Sequence, residues 1–221
     1  MNGPFQGPSQ GQDQQRKIVA TGGDGRLSTL YDAAVSLLTG ESLWRAALAA
    51  QIGIEAHDTV LDIGCGAGAL CLLLARMQPG AEIIGIDPRG GLIAQARIRA
   101  GAAGLRASFI KGDAGDAGVS IGQHTPTRIV LTLTGALSAT EKLARLQRAR
   151  QIIDPAGVLH VVDHGAQRTA LMQRLFAASS PRASTGDVSA LIRAAGFVAV
   201  EETAAWPTPA GVIALHRARA S

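Results

Sequence analysis

Three glycines at alternate positions, Gly64, Gly66 and Gly68, sit where an apolar run, residues 59–63, gives way to a segment of helical pattern, residues 67–77. Asp62 stands just ahead of them. A second acidic residue, Asp87, closes the next apolar run, "EIIGID", nineteen residues after Gly68. Glycines at a strand-to-helix turn permit tight backbone angles and let the main chain approach a ligand with no Cβ in the way. A carboxylate at the end of the following strand is placed to accept both hydroxyls of a ribose. Gly64, Gly66 and Ala69 also satisfy the pattern G-x-G-x-x-G/A, so the glycines alone leave a dinucleotide open. Asp62 weighs against it. Its negative charge beside the turn suits a ligand with a cationic amino group and a sulfonium, and opposes a pyrophosphate.

Other polar residues are candidates for proton chemistry. His164 follows the fifth apolar run in "VVDHG", and an ordinary imidazole pKa near 6.5 suits proton removal. Asp113, in "KGDAGD", is either a site residue or a turn residue of common composition. Tyr31 lies on the apolar side of the first helical segment, where core packing is the simpler account. His57, His124, His160 and His216 form no spacing that points to a metal, so none is expected. Cys65 and Cys71 fit neither a zinc ribbon nor a thioredoxin pair and read as reduced thiols of a cytoplasmic protein.

These residues must be held by a larger frame. The chain has 221 residues, 47% of them hydrophobic, enough for one sizeable core. Residues 1–24, rich in Gly, Gln and Pro, read as a disordered tail, and residues 25–221 as a single domain. Its first part, residues 25–55, is helical: Leu27, Leu30, Tyr31, Ala34 and Leu38 recur at helical spacing, and Ser42 can cap a second helix that ends near Gly53. From Thr59 onward, apolar runs at 59–63, 82–86, 107–111, 128–133 and 157–162 are separated by helical segments at 67–77, 90–103 and 138–152. Near-continuous apolar strands alternating with helices imply an α/β fold with a parallel sheet covered on both faces. A helix at 186–195 then leads to "FVAVEE" and "GVIALHR". The short loop between these two, with Pro207 and Pro209, has no room for a crossover helix, so the last two strands are antiparallel.

The formal net charge is +4, but the arginines are scattered and aromatics make up 3% of the chain. Neither an electrostatic footprint for nucleic acid nor a set of stacking platforms is visible. No apolar run approaches the roughly 18 residues a membrane span needs, and no signal core stands at the N-terminus.

The pieces "VLDIGCGAG", "IIGIDP", "FIKGDAGD" and "IIDPAGVLHVVDH", in this order, with the closing "LIRAAGFVAVEE" and "GVIALHRA", resemble the class I S-adenosylmethionine-dependent methyltransferases over roughly residues 27–217. With "LYDAAVSLLTG", the chain looks most like their small-molecule branch, which includes quinone-biosynthesis enzymes. The resemblance implies a Rossmann-like, seven-stranded sheet, parallel but for its last strand, with S-adenosyl-L-methionine as cofactor. Asp62, Gly64, Gly66 and Gly68 would hold its methionine part, Asp87 the ribose with Pro88 beside it, and Asp113 with Ala114 the adenine. Leu131 to Thr134 would border the sulfonium and the substrate, and Tyr31 would belong to a lid over the cofactor. The first helices and residues 163–185 would cover a small-molecule acceptor, methylated at O, C or N. A homodimer is compatible with this.

Relatives often carry a histidine or acidic residue after the fourth strand, where this chain reads "LTLTGALSAT". It has neither the Asn/Asp-Pro-Pro-Tyr arrangement of nucleic-acid amino methylases nor a Pro-Cys nucleophile, which argues against modification of bases. Transfer from a sulfonium has a neutral leaving group, so proximity and in-line alignment can supply much of the rate. Two rival readings are a nicotinamide-dependent oxidoreductase of Rossmann fold and a non-catalytic cofactor-binding module.

Overall fold

The structure, a computed structural model, describes residues 41–113, 121, 124–133, 137–164, 187–208 and 211–221. The chain divides into two units, Met1–Leu37 and Leu38–Ser221. All described residues belong to the second. The expected tail, the first helical segment with Tyr31, Ala114, and residues 165–185 of the expected cover lie outside them.

Helix α1 spans Glu41–Ile52, so Ser42 lies within it rather than capping it, and Gly53, at φ +57°, follows its end. Then come β1 (Thr59–Ile63), α2 (Ala69–Met77), β2 (Glu82–Asp87), α3 (Gly90–Ala103), β3 (Ser108–Lys111), β4 (Arg128–Leu133), α4 (Ala139–Ile152), β5 (Val158–His164), α5 (Val188–Ala194), β6 (Val198–Thr208) and β7 (Gly211–Arg219). Local chemistry sets several of these bounds. Ser138 and Glu141 form a capping box at the start of α4: the Ser138 N–H donates to Glu141 Oε2 at 2.8 Å and the Glu141 N–H to Ser138 Oγ at 3.3 Å. Two orphan donors of the first turn are thereby satisfied. Asp187 caps α5 in the simpler way, accepting from the Ser189 N–H at 2.9 Å.

The seven strands form one sheet in the order β3-β2-β1-β4-β5-β7-β6. The first five run parallel, and β7 is antiparallel to both β5 and β6. The expected turn at Pro207 is corrected here. Strand β6 continues through Pro207, opposite Val212, to Thr208. This is possible because β6 is an edge strand, where a missing N–H breaks no interior ladder.

Alternation along the strands divides the core. Val60, Ile83, Phe109, Val130 and Val162 pack on one face with Leu48 of α1, Leu74 of α2 and Ile93 of α3. Leu61, Ile84, Ile129, Leu131 and Val161 pack on the other with Leu146 of α4 and Ile192 of α5. Burying each such side chain contributes about 1.5–3 kcal/mol, before the chain entropy that opposes it. Buried Asp58 ties the entrances of two strands together. It accepts the Glu55 N–H at 2.8 Å and the Thr127 hydroxyl at 2.6 Å, so the loops entering β1 and β4 share one carboxylate.

Strand β1 has β2 on one side and β4 on the other, so the strand order reverses there. Beyond the carboxyl ends of these strands lies the crevice in which open α/β sheets bind ligands.

Candidate functional site

The three glycines all adopt positive φ, +88° at Gly64, +57° at Gly66 and +76° at Gly68, a region other residues enter at a cost. Their surroundings differ. A Cβ at Gly68 would lie 2.7 Å from the Phe109 ring and 3.0 Å from Ala96, so this glycine lets α2 sit tightly on β3 and α3. At Gly66 the position of a Cβ is open, with only Arg89 Nη2 near it at 4.0 Å. The turn is bound to the end of β2. The N–H groups of Gly64 and Cys65 both donate to Ile86 O, at 2.8 and 3.1 Å.

Asp62 and Asp87 lie on the same face of adjacent strands, the face covered by α1, α2 and α3, and each is 2% exposed. Asp87 Oδ2 accepts the Gly66 N–H at 3.0 Å, and Oδ1 accepts the Arg89 N–H at 2.9 Å. The Arg89 guanidinium adds Nε to Oδ1 at 3.1 Å and Nη2 to Oδ2 at 3.2 Å. Two of these four donors are main-chain groups fixed by the fold. The other two belong to a side chain that is 62% exposed. The carboxylate is thus aimed by its backbone partners, and its other two contacts can be exchanged for those of a ligand.

Asp62 Oδ2 accepts the Cys71 thiol at 3.4 Å. Burial raises the Asp62 pKa to about 6; Cys71 and the positive charge of Arg45 on α1 pull it down, and Asp87 pushes it up. The Cys71 thiol is held protonated by its hydrogen bond with Cys65, by burial and by the charge of Asp62. Room for Cys65 comes from Gly85 in β2, where a Cβ would lie 2.8 Å from its sulfur.

The remaining sequence candidates are placed as follows. Pro88 is exposed directly after β2. Asp113 is exposed two residues past β3, next to Gly112, whose N–H donates to Asp87 O at 3.2 Å, so it stands at the same end of the sheet. His164 is the last residue of β5, opposite Ile213 of β7. Leu131 departs from expectation. Its side chain is fully buried on the α4 face with Leu61 and Leu159, and the neighbour of the turn is Thr132, 3.9 Å from where a Cβ of Gly64 would stand. Pairing explains the shift: Ile63 and Leu131 are in register and both point to the α4 side.

Sequence reasoning missed Arg89, Arg45 and Cys71. Arg89 had a signal, since a guanidinium two residues after a strand-ending carboxylate can fold back on it. Arg45 and Cys71 reach Asp62 only through the packing of α1 and α2 on the sheet.

A family model described as "Methyltransferase domain" matches residues 54–196. The chain is 36% identical over 105 residues to the ubiquinone biosynthesis O-methyltransferase of Azorhizobium caulinodans, covering 46% of this chain and 38% of that protein. It is 32% identical over 148 residues to the trans-aconitate 2-methyltransferase of Methylobacterium radiotolerans, covering 64% and 53%. The matches thus span between about a third and a half of these relatives' own length. Among solved structures, magnesium protoporphyrin IX methyltransferase from Synechocystis PCC 6803, crystallised with bound SAM, shares the fold at a TM-score of 0.64 and 18% identity, over 96% of this chain and 92% of that one. The matched residues run from the approach to β1 through α5 and take in the glycine turn, Asp62 and Asp87, and on that match the chain belongs to the methyltransferase-domain family.

Proposed function

We propose that this chain is an S-adenosylmethionine-dependent methyltransferase acting on a small organic acceptor at O, C or N. The observation that carries the reading is the pair of buried carboxylates on one sheet face, Asp62 and Asp87, flanking a turn whose middle glycine is open. Two negative charges there oppose a pyrophosphate and favour a ligand that is cationic at one end and carries a ribose at the other. The names of the relatives support the same activity, and nothing in the family match favours an oxidoreductase.

The residues present fit that cofactor. Asp87, aimed by the N–H groups of Gly66 and Arg89, would accept the ribose hydroxyls once the Arg89 guanidinium is displaced. Asp62 would face the cationic methionine part, and the bare backbone at Gly66 would border it. Asp113, with Pro88 on the rim, would stand by the adenine. When bound, the cofactor supplies an activated methyl group on a sulfonium. The chain's contribution is to hold donor and acceptor in line and exclude water. His164, at the carboxyl end of β5, is assigned as the proton acceptor for the substrate. The cytoplasm is the compartment we assign, in keeping with two buried free cysteines, Cys65 and Cys71.

The test is transfer of labelled methyl from S-adenosylmethionine to a panel of small phenolic, quinol and carboxylate acceptors. Label in at least one of them supports the reading. Label only in nucleic acid, or in none while the cofactor binds, contradicts it. In an active assay, His164→Asn should lower kcat by about 10²-fold with cofactor affinity unchanged.

A further inference from the structure

At the amino ends of β4 and β5, the opposite end of the sheet from the glycine turn, a cleft of about 580 Å³ opens on the face that carries α1. Gln51, Arg128, His160, Glu201, Arg217 and Arg219 line it. Strand register puts them together: His160 is opposite Arg217, Glu201 is opposite Arg217, and Val158 lies between Arg128 and Arg219. Three guanidinium groups line the cleft beside one lining carboxylate, Glu201, and with Asp58 against Arg128 a net positive charge remains. Arg217 is paired with Glu201 through Nε at 2.7 Å, and Arg128 Nη1 lies 3.6 Å from Asp58 Oδ1. Arg219 is exposed, and its guanidinium has no hydrogen bond or ion pair with another described residue.

A second observation concerns the imidazole beneath them. His160 is 1% exposed. Its Nδ1 lies 3.5 Å from Gln51 Nε2, while Gln51 Oε1 accepts the Thr203 hydroxyl at 2.7 Å. With the amide N–H turned to Nδ1, the ring proton belongs on Nε2, and Nε2 is buried with no hydrogen-bond partner among the described residues. Burial, reinforced by Arg128 and Arg217, lowers the pKa to about 3, so the ring is a neutral donor at neutral pH. A buried donor left unmet is costly, and a neutral N–H beside guanidinium groups is met best by an oxyanion, whose oxygens also match the guanidinium fork.

We propose that this cleft is a second ligand site, remote from the glycine turn, that takes the phosphate or carboxylate group of a small molecule. Arg217 and Arg219 grip the anion at the mouth, and His160 Nε2–H meets it at the floor.

Inorganic phosphate and succinate serve as the two probes, in thermal denaturation of the full chain against potassium chloride at matched ionic strength. At ten times its dissociation constant, a bound probe raises the melting midpoint by about 3 °C. The variant Arg217→Gln/Arg219→Gln changes exposed residues and keeps the fold, which far-UV circular dichroism verifies. It should lose most of that rise. A shift with phosphate alone, succinate alone or both names the group recognised. No shift with either probe, or an equal shift in the double variant, overturns the proposal. An NMR measurement adds a readout specific to the floor: the His160 Nε2–H resonance moves on saturation with the probe, and an unmoved resonance removes His160 from the site.

Discussion

The Gly66 N–H donates to Asp87 Oδ2 at 3.0 Å, and this one bond links the turn after β1 to the end of β2. It orients a buried carboxylate toward the space that Gly66 leaves open. If Asp87 holds the ribose as proposed, Asp87→Ala removes charge-assisted hydrogen bonds to it, and S-adenosylmethionine affinity should fall by about 1.5–3 kcal/mol, roughly 10- to 150-fold. Calorimetry measures it. An affinity within twofold of wild type would mean that Asp87 serves the turn alone.

Asp62 makes binding depend on pH. Its folded-state pKa, about 6, lies above the ordinary 3.8. The folded protein therefore holds this proton more tightly than the unfolded chain, and stability contributed by Asp62 declines as pH rises from about 4 to about 6. A cationic ligand needs the ionised form. Its affinity should be flat above about pH 7 and fall by up to about tenfold per unit below pH 6. Asp62→Asn should abolish that dependence, and titrations between pH 5 and 8 on both proteins decide the matter.

The glycines separate packing from binding. Gly68→Ala drives a methyl group into Phe109 and should cost about 1–3 kcal/mol of stability, seen as a lower melting midpoint. Gly66→Ala meets open space and carries only the penalty of its positive φ, about 1–2 kcal/mol. Its methyl group would occupy cofactor space, however, so it should lose binding while still folded. Gly66→Ala that folds and binds normally would refute the placement of the cofactor.

Arg89 should behave as a displaceable partner. Its guanidinium is exposed and would compete with the proposed ribose for Asp87, while its main-chain N–H stays in place in any variant. Arg89→Ala should therefore leave cofactor affinity unchanged or tighten it by up to about fivefold, the scale of an exposed ion pair. A tenfold loss would show that the guanidinium itself touches the cofactor.

The strands and most helices were legible because their apolar runs are long and their helical segments periodic. β1 and β4 match residue for residue, and β2 runs one residue longer than its apolar core. Pro207 misled because proline signals a turn unless the strand lies at an edge, which only the sheet order reveals. Asp62 and Asp87 were legible from position in the motif. Leu131 was not, since which side of β4 faces the crevice depends on its register with β1. The floor of the distal cleft was invisible for the same reason: His160 and Arg217 are adjacent only through the antiparallel pairing of β5 and β7.

The most direct test is a pair of calorimetric titrations on the full chain, one with S-adenosylmethionine and one with NAD. Two carboxylates beside an open glycine turn predict saturable one-to-one binding of S-adenosylmethionine, lost or strongly weakened in Asp87→Ala, and no heat from NAD. Saturable NAD binding, or wild-type protein that is folded yet takes up no S-adenosylmethionine, would contradict it.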